Sequence, residues 1–276
     1  MGASAHGVAV GDRVVINPGI GCGDCDYCTA GDQPLCVQFA VLGEHRPGTF
    51  ADFVVVPGTH VRTVPATIPD DVAAAFPLAA LTAWRMVVSR ARVAAGERVL
   101  IQGIGSPVSL AALQIAKARG AEVWVTSSSD TKLDRARAIG ADHLLNYRTQ
   151  DVAREVRSAT GKRGVDVVID SGGRESWAPS LGALGRKGRL VTCGATTGPI
   201  VETDLRRLFW NQWTLMGSTM GSGAEFAAVI DELAAGRLTM PVDSVFPLDR
   251  GRDAFERIAS GQQFGKVVLT VGEEGE

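Results

Sequence analysis

From about Glu97 to Thr219 the hydrophobic positions come in short unbroken runs separated by amphipathic stretches. Val99–Ile101, Val123–Val125, Leu144–Leu145, Val165–Ile169 (interrupted by Asp166) and Leu190–Val191 are aliphatic or β-branched runs. They do not alternate with polar residues, so they predict strands buried on both faces, as in a parallel sheet covered by helices. Gly120 and Gly140 each follow a basic or apolar last turn and lead directly into the next run, the punctuation of a helix ending before a strand. Trp213–Met216 predicts a sixth and last strand. Gly120-Ala121-Glu122 and Gly140-Ala141-Asp142 are near copies separated by one strand plus one helix, which marks alternating units and not a solenoid.

Outside this region the pattern changes. The first 95 residues show no long helical period, and Val14–Ile16 and Phe53–Val56 read as short strands among Gly and Pro. Ala224–Ala235 predicts a helix and Gly265–Leu269 a final strand. The division that follows is a small β-rich domain at residues 1–80, an α/β domain at 81–219, and a return to the first domain at 220–276.

Composition narrows the picture. With 45% hydrophobic and 21% charged residues the chain is that of a folded protein. Its 28 basic and 30 acidic residues give a formal charge of −2, with no electrostatic footprint for nucleic acid or anionic lipid. The longest apolar run, Val72–Trp84, contains Pro77 and falls short of the roughly 20 residues of a membrane span. Residues Met1–His6 lack the basic start and apolar stretch of a secretory signal, so a cytoplasmic location is expected. Gly is abundant, at 33 residues, so many backbone positions need a residue without a side chain.

Four of the five cysteines are clustered. Cys22, Cys25, Cys28 and Cys36 follow the spacing C-x2-C-x2-C-x7-C in a Gly-rich loop, which suits four tetrahedral thiolates around Zn²⁺. A closed set of four leaves no position for substrate, so the expected zinc is structural; local disulfides or an iron–sulfur cluster are weaker alternatives. Residues 20–38 hold Asp24, Asp26 and Asp32 but neither Lys nor Arg, which disfavours a nucleic-acid module. Cys193, at the end of an apolar run, reads as a buried, inert thiol.

After Val99–Ile101 come Gly103-Ile104-Gly105-Ser106-Pro107-Val108-Ser109 and then the apolar segment Leu110–Ala116. A strand, a glycine turn and a helix start make a dinucleotide pyrophosphate site, because helix N–H groups and the dipole favour anions where glycine lets them approach. The turn departs from GxGxxG at Val108, and Pro107 has no N–H to offer. The next run ends in Thr126-Ser127-Ser128-Ser129, where an NAD-selective site would carry an acid for the ribose hydroxyls. Ser127, Ser128 and the charge of Lys132 suit a ribose 2′-phosphate, so NADP is expected, with NAD as the alternative. Asp130 reads as an early-turn helix residue with Ser129 as its cap.

These features together resemble the medium-chain dehydrogenase/reductase superfamily, in its zinc-containing alcohol dehydrogenase and quinone oxidoreductase branches. The carriers are Val10–Val14, the four-cysteine lobe, Leu81–Trp84, the glycine turn, Asn146-Tyr147, Val165–Val168, Gly188–Val191 and Gly265–Leu269. The resemblance implies a Rossmann doubly wound parallel sheet with a partial GroES-like β-domain carrying the zinc lobe. It also implies hydride transfer between NAD(P)H and an alcohol/carbonyl pair or an activated alkene. By position it places Thr82 and Gly194 near the nicotinamide, Tyr147 near the adenosine 2′-phosphate, and Lys266 as a basic phosphate contact. The cofactor-binding set is therefore Thr82, Gly103, Gly105, Ser106, Val108, Ser127, Ser128, Lys132, Tyr147, Gly194 and Lys266.

The family's catalytic-zinc Cys and Gly-His-Glu segment precede the Val10–Val14 match and are not in this sequence, which reads as late-starting or truncated. Ala75–Ala79, where the remaining ligand would fall, has no sulfur, imidazole or carboxylate, so a catalytic zinc is doubtful and no catalytic acid or base is assigned. The expected partners are a small-molecule substrate and further copies of the chain, in a homodimer or homotetramer paired through Trp213–Met216. A catalytically incomplete, zinc-stabilised nucleotide-binding protein is the alternative reading.

Overall fold

The computed structural model describes residues 7–272, and the start of the chain, on which the secretory reading rests, lies outside them. Two compact units are present, one comprising residues up to Leu81 with those from Met220 onward, the other Thr82–Thr219. No helix among the described residues is long and apolar enough to cross a membrane.

The chain opens with β1 (Val14–Ile16), β2 (Gly19–Ile20), the single-turn α1 (Asp26–Thr29), β3 (Ala40–Val41) and β4 (Val61–Thr63). β1 pairs antiparallel with β4, and β2 with β3. Phe53–Val56 is not a strand, which corrects the sequence reading. Its side chains alternate between exposed and half-buried, with Phe53 91% and Val55 95% exposed. The β-branched pattern is there, but a strand also needs a partner for its backbone groups, and none pairs with it among the described residues.

Residues 70–90 bring a second correction, because they are helical: α2 (Asp70–Ala75), α3 (Pro77–Trp84) and a π-helical turn over Arg85–Arg90. Pro77 occupies the first position of α3, where its missing N–H costs least. Ala73, Ala75, Phe76, Ala79, Ala80, Leu81, Ala83 and Met86 are all buried, so apolar residues cover every side and no 3.6-residue period shows in the sequence.

Thr82–Thr219 continues as β5 (Arg98–Ile101), α4 (Pro107–Ala118), β6 (Glu122–Ser127), α5 (Asp130–Ala138), β7 (His143–Asn146), α6 (Val152–Ala159), β8 (Val165–Asp170), α7 (Arg174–Ala183), β9 (Leu184–Thr192), α8 (Leu205–Asn211) and β10 (Thr214–Gly217). The six strands are parallel in the order β10-β9-β8-β5-β6-β7, the Rossmann arrangement. Leu100, Trp124, Leu145, Val168 and Leu190 pack with Val152 and Val156 of α6 and Leu181 of α7. The intervening Val99, Ile101, Val123, Val125, Val167 and Ile169 are equally buried, so both faces are covered, at about 2 kcal/mol of transfer free energy for each large side chain. Trp213 closes one edge, its indole N–H donating to the Gly185 carbonyl at 2.8 Å. β5 continues to β6 on one side and β8 to β9 on the other, which opens a crevice at their carboxyl ends.

The chain then forms α9 (Gly223–Ala234), β11 (Val242–Pro247), α10 (Gly251–Ala259) and β12 (Lys266–Thr270), with β11 and β12 parallel. A Ser222–Glu225 capping box starts α9. Arg257 of α10 donates to both oxygens of Asp243 on β11, at 2.8 and 3.0 Å, and the Phe264 amide adds a third donor at 3.0 Å.

The Arg257 guanidinium holds the Asp243 carboxyl at about 2 in the folded protein. Because the folded value lies below the unfolded one of about 3.9, this stabilisation is complete above about pH 5 and is lost as pH falls through 4 toward 2. Asp243→Asn should therefore cost about 1–2 kcal/mol at pH 7, with the difference from the parent narrowing toward pH 2, as read from urea midpoints across that range.

Candidate cofactor and metal sites

The glycine turn leaves β5 and enters α4 in a geometry that only small residues permit. Gly103 has φ +66° and Gly105 φ +114°. A Cβ on Gly105 would also stand 2.9 Å from Cδ of Lys132 and 3.4 Å from its Nζ, so the lysine side chain lies directly against the turn. Ser106 caps α4, its hydroxyl accepting from the Ser109 amide at 3.2 Å, and Pro107 takes the first helical position. Ser109 in turn reaches back to the Gly103 carbonyl at 3.0 Å.

Several turn amides are already engaged. The Gly103 N–H donates to Thr126 Oγ1 at 3.0 Å, the Ile104 N–H to the Thr126 carbonyl at 2.6 Å, and the Ser106 N–H to the Gly103 carbonyl at 3.4 Å. Among the described residues, no hydrogen bond within the chain uses the Gly105 or Val108 amide. These two donors at a helix start are what the turn can present to an anion.

Beside the turn, β6 ends at buried Ser127 and half-buried Ser128. The Ser127 hydroxyl accepts from the Ser129 amide at 3.2 Å, and Ser129 caps α5 through the Lys132 amide at 3.4 Å. Asp130 is turned to a structural task, its Oδ1 accepting from Asn146 Nδ2 at 2.7 Å. Tyr147 follows β7, is half exposed, and donates its amide to the Ser127 carbonyl at 3.1 Å. Gly103, Gly105, Ser106, Val108, Ser127, Ser128, Lys132 and Tyr147 thus gather at the carboxyl ends of β5, β6 and β7.

The other three candidates lie elsewhere. Gly194 follows β9, where its carbonyl accepts from Thr192 Oγ1 at 3.2 Å beside the loop after β8. Thr82 is buried on α3. Lys266 opens β12 in the other unit, and burial pushes its ammonium below the ordinary lysine range. Cys193 is half-buried, and burial, helped by the negative charge of Asp170, pushes its thiol up to about 11. It stays a protonated, unreactive thiol at neutral pH.

Sequence reading missed a buried polar chain under the turn, made by Asp170, Ser180, Gln102 and Thr126. Asp170 is 0% exposed, as are Ser180 and Thr126. The only signal was a carboxylate and a hydroxyl closing otherwise apolar strands.

In the cysteine lobe the sulfurs of Cys22, Cys25, Cys28 and Cys36 all lie within 4.8 Å of one another, and Cys22 Sγ is 3.9 Å from Cys28 Sγ. Four thiolates about 2.3 Å from one ion stand about 3.8 Å apart, so the set fits zinc. Backbone amides of Cys22 and Gln38 donate to Cys36 Sγ, both at 3.3 Å, and the Cys25 amide to Cys22 Sγ at 3.4 Å, bonds that favour thiolates. Gly21 makes room, since a Cβ there would lie 2.7 Å from Cys28 Sγ. Among the described residues no other group of three or more His, Cys, Asp or Glu could hold a metal ion.

Comparison with known proteins shows the family. Residues 107–235 match the family described as zinc-binding dehydrogenase, and residues 1–66 match the alcohol dehydrogenase GroES-like domain. An L-threonine 3-dehydrogenase of Anaeromyxobacter dehalogenans (strain 2CP-C) is 32% identical over 99% of this chain and 78% of its own length. The chain belongs to the zinc-binding alcohol dehydrogenase family. A crystal structure of an NAD-dependent alcohol dehydrogenase superposes with TM-score 0.91 at 40% identity, covering 96% of this chain and 78% of that one. The cobalt- and zinc-bound thermostable alcohol dehydrogenase from Pyrobaculum aerophilum superposes with TM-score 0.87 at 36% identity, covering 98% and 78%. This dehydrogenase is thus an oxidoreductase of the medium-chain superfamily, with a Rossmann unit and a GroES-like part.

Proposed function

We propose that this dehydrogenase transfers a hydride between NADP(H) and an alcohol/carbonyl pair or an activated alkene. The nicotinamide supplies the hydride chemistry when bound, and the chain supplies position and charge. The carrying observation is the end of β6: it offers Ser127, Ser128 and Lys132, while the nearest acid, Asp130, is held by Asn146. A 2′-phosphate there meets hydroxyls and an ammonium and no carboxylate where selection for NAD would place one. Tyr147 adds an aromatic side chain at the same end. The amides of Gly105 and Val108 would hold the pyrophosphate, with Ser106 shaping the helix start and Gly103 the turn. Thr82 and Gly194 would border the nicotinamide, and Lys266 would be a basic phosphate contact.

In the cysteine lobe, Cys22, Cys25, Cys28 and Cys36 would hold a structural zinc, because a closed four-sulfur set leaves no coordination position for substrate. Four thiols that must stay reduced support a cytoplasmic setting. For association, β10 has an unpaired outer edge, and Leu205, Phe209 and Trp210 of α8 are about two-thirds or more exposed. These features support a dimer, or a tetramer built from it, through α8 and β10.

Fluorescence titration tests the cofactor reading: NADPH should bind more tightly than NADH, and Lys132→Ala should weaken NADPH about tenfold, or about 1.4 kcal/mol, while NADH changes far less. Tighter binding of NADH by the parent would assign the site to NAD. Elemental analysis should return roughly one zinc per chain, and Cys28→Ser should release most of it and lower the melting temperature. Sedimentation equilibrium should give a dimer or tetramer that Trp210→Glu shifts toward monomer; a monomeric parent would remove the association reading.

A further inference from the structure

The buried chain beneath the turn has one direction throughout. Ser180 Oγ donates to Asp170 Oδ2 at 3.0 Å, Gln102 Nε2 donates to Ser180 Oγ at 2.9 Å, and Thr126 Oγ1 donates to Gln102 Oε1 at 2.7 Å. Thr126 Oγ1 then accepts the Gly103 N–H at 3.0 Å. Each hydroxyl has one proton, so the acceptor at the far end fixes which way every group in the series points, including the amide of Gln102. The series starts at a carboxylate that only accepts. On its other oxygen Asp170 takes the amides of Gly172 and Gly173, at 2.7 and 3.4 Å, and the Ser176 hydroxyl at 2.8 Å. Its own carbonyl accepts the Cys193 amide at 3.3 Å. Through Ser180 and Gln102, Asp170 therefore connects the carboxyl ends of β5, β6 and β8, and its backbone reaches the residue after β9, on both sides of the crevice.

We propose that Asp170 is a positioning residue for the cofactor turn. Acting through Ser180, Gln102 and Thr126, it binds the Gly103 amide internally and fixes the turn before any ligand arrives. The Gly105 and Val108 amides then need no reordering to receive an anion. Without these links the Gly103 N–H would lose its internal acceptor and compete for the same phosphate, and the ordering cost would fall on binding. This inference rests on the dinucleotide reading above. A purely structural network would lower the stability of the fold without changing the turn in particular.

The test uses links that can be cut singly, because Asp170→Asn would disturb all four donors around a fully buried side chain. Ser180→Ala removes the first relay and Thr126→Val the last, Thr126→Ser keeps the hydroxyl, and Ser176→Ala removes a donor to Asp170 that does not lead to the turn. For the ligand-free proteins, amide hydrogen exchange over residues 100–108 should quicken about tenfold in Ser180→Ala and Thr126→Val. It should stay near the parent rate in Thr126→Ser and Ser176→Ala. The NADPH dissociation constant should rise about tenfold in the first pair and stay within about threefold of the parent in the second. Parent-like exchange in both cut variants overturns the link whatever the cofactor does, and faster exchange with unchanged affinity overturns the positioning role. A parent protein that binds neither NADPH nor NADH overturns the cofactor reading instead, with exchange still deciding whether the chain holds the turn.

Discussion

The pairing of β5 with β8 is the constraint on which the rest of the Rossmann unit depends. Leu100 faces Val168 across a parallel ladder at the middle of the sheet, and the chain leaves the two strands in opposite directions. The crevice follows from that divergence and not from any single side chain. It also sets a difficulty, because the strand ends that border it are dry while the groups needed there are polar. A carboxylate in that position without partners would cost several kcal/mol. Asp170 is accommodated because two amides and two hydroxyls converge on it.

The other unit is held differently. Its strands are short and paired two by two, so polar clasps do work that a large sheet does elsewhere. Arg13 donates to the carbonyls of Pro65 and Ile68, at 2.9 and 2.7 Å, and also pairs with Asp70. Arg257 clasps β11 to α10 through Asp243. The four sulfurs of the lobe gather over a span of chain with few large buried side chains. That unit therefore leans on directional contacts, of which the Arg257–Asp243 pair responds to pH, whereas the sheet leans on apolar area.

What could be read along the chain and what could not follows from the range of the forces involved. The parallel strands were legible because burial on both faces leaves unbroken runs such as Val123–Val125, and the lobe because its cysteines are neighbours in sequence. The helical stretch from Asp70 to Arg90 was hidden by alanines and other apolar residues that are buried on every side, which erases the periodicity. Phe53–Val56 has the residue preferences of a strand, but pairing depends on a partner that local pattern does not reveal. Asp170 ends a strand, Ser180 sits on a helix and Gln102 follows another strand, and nothing local marks them as one series. Tyr147 and Thr82 carried no signal of their own and were reached through resemblance.

The engagement of the Gly103 and Ile104 amides inside the protein has a kinetic side. A dinucleotide seated at this turn would meet few backbone donors, Pro107 contributing none, a light grip set against a turn that needs no reordering. In enzymes whose slowest event is departure of the spent carrier, a light grip raises the ceiling on turnover. A turn fixed in advance by its own hydrogen bonds would thus bear on how quickly a coenzyme is exchanged as well as on how firmly it is held.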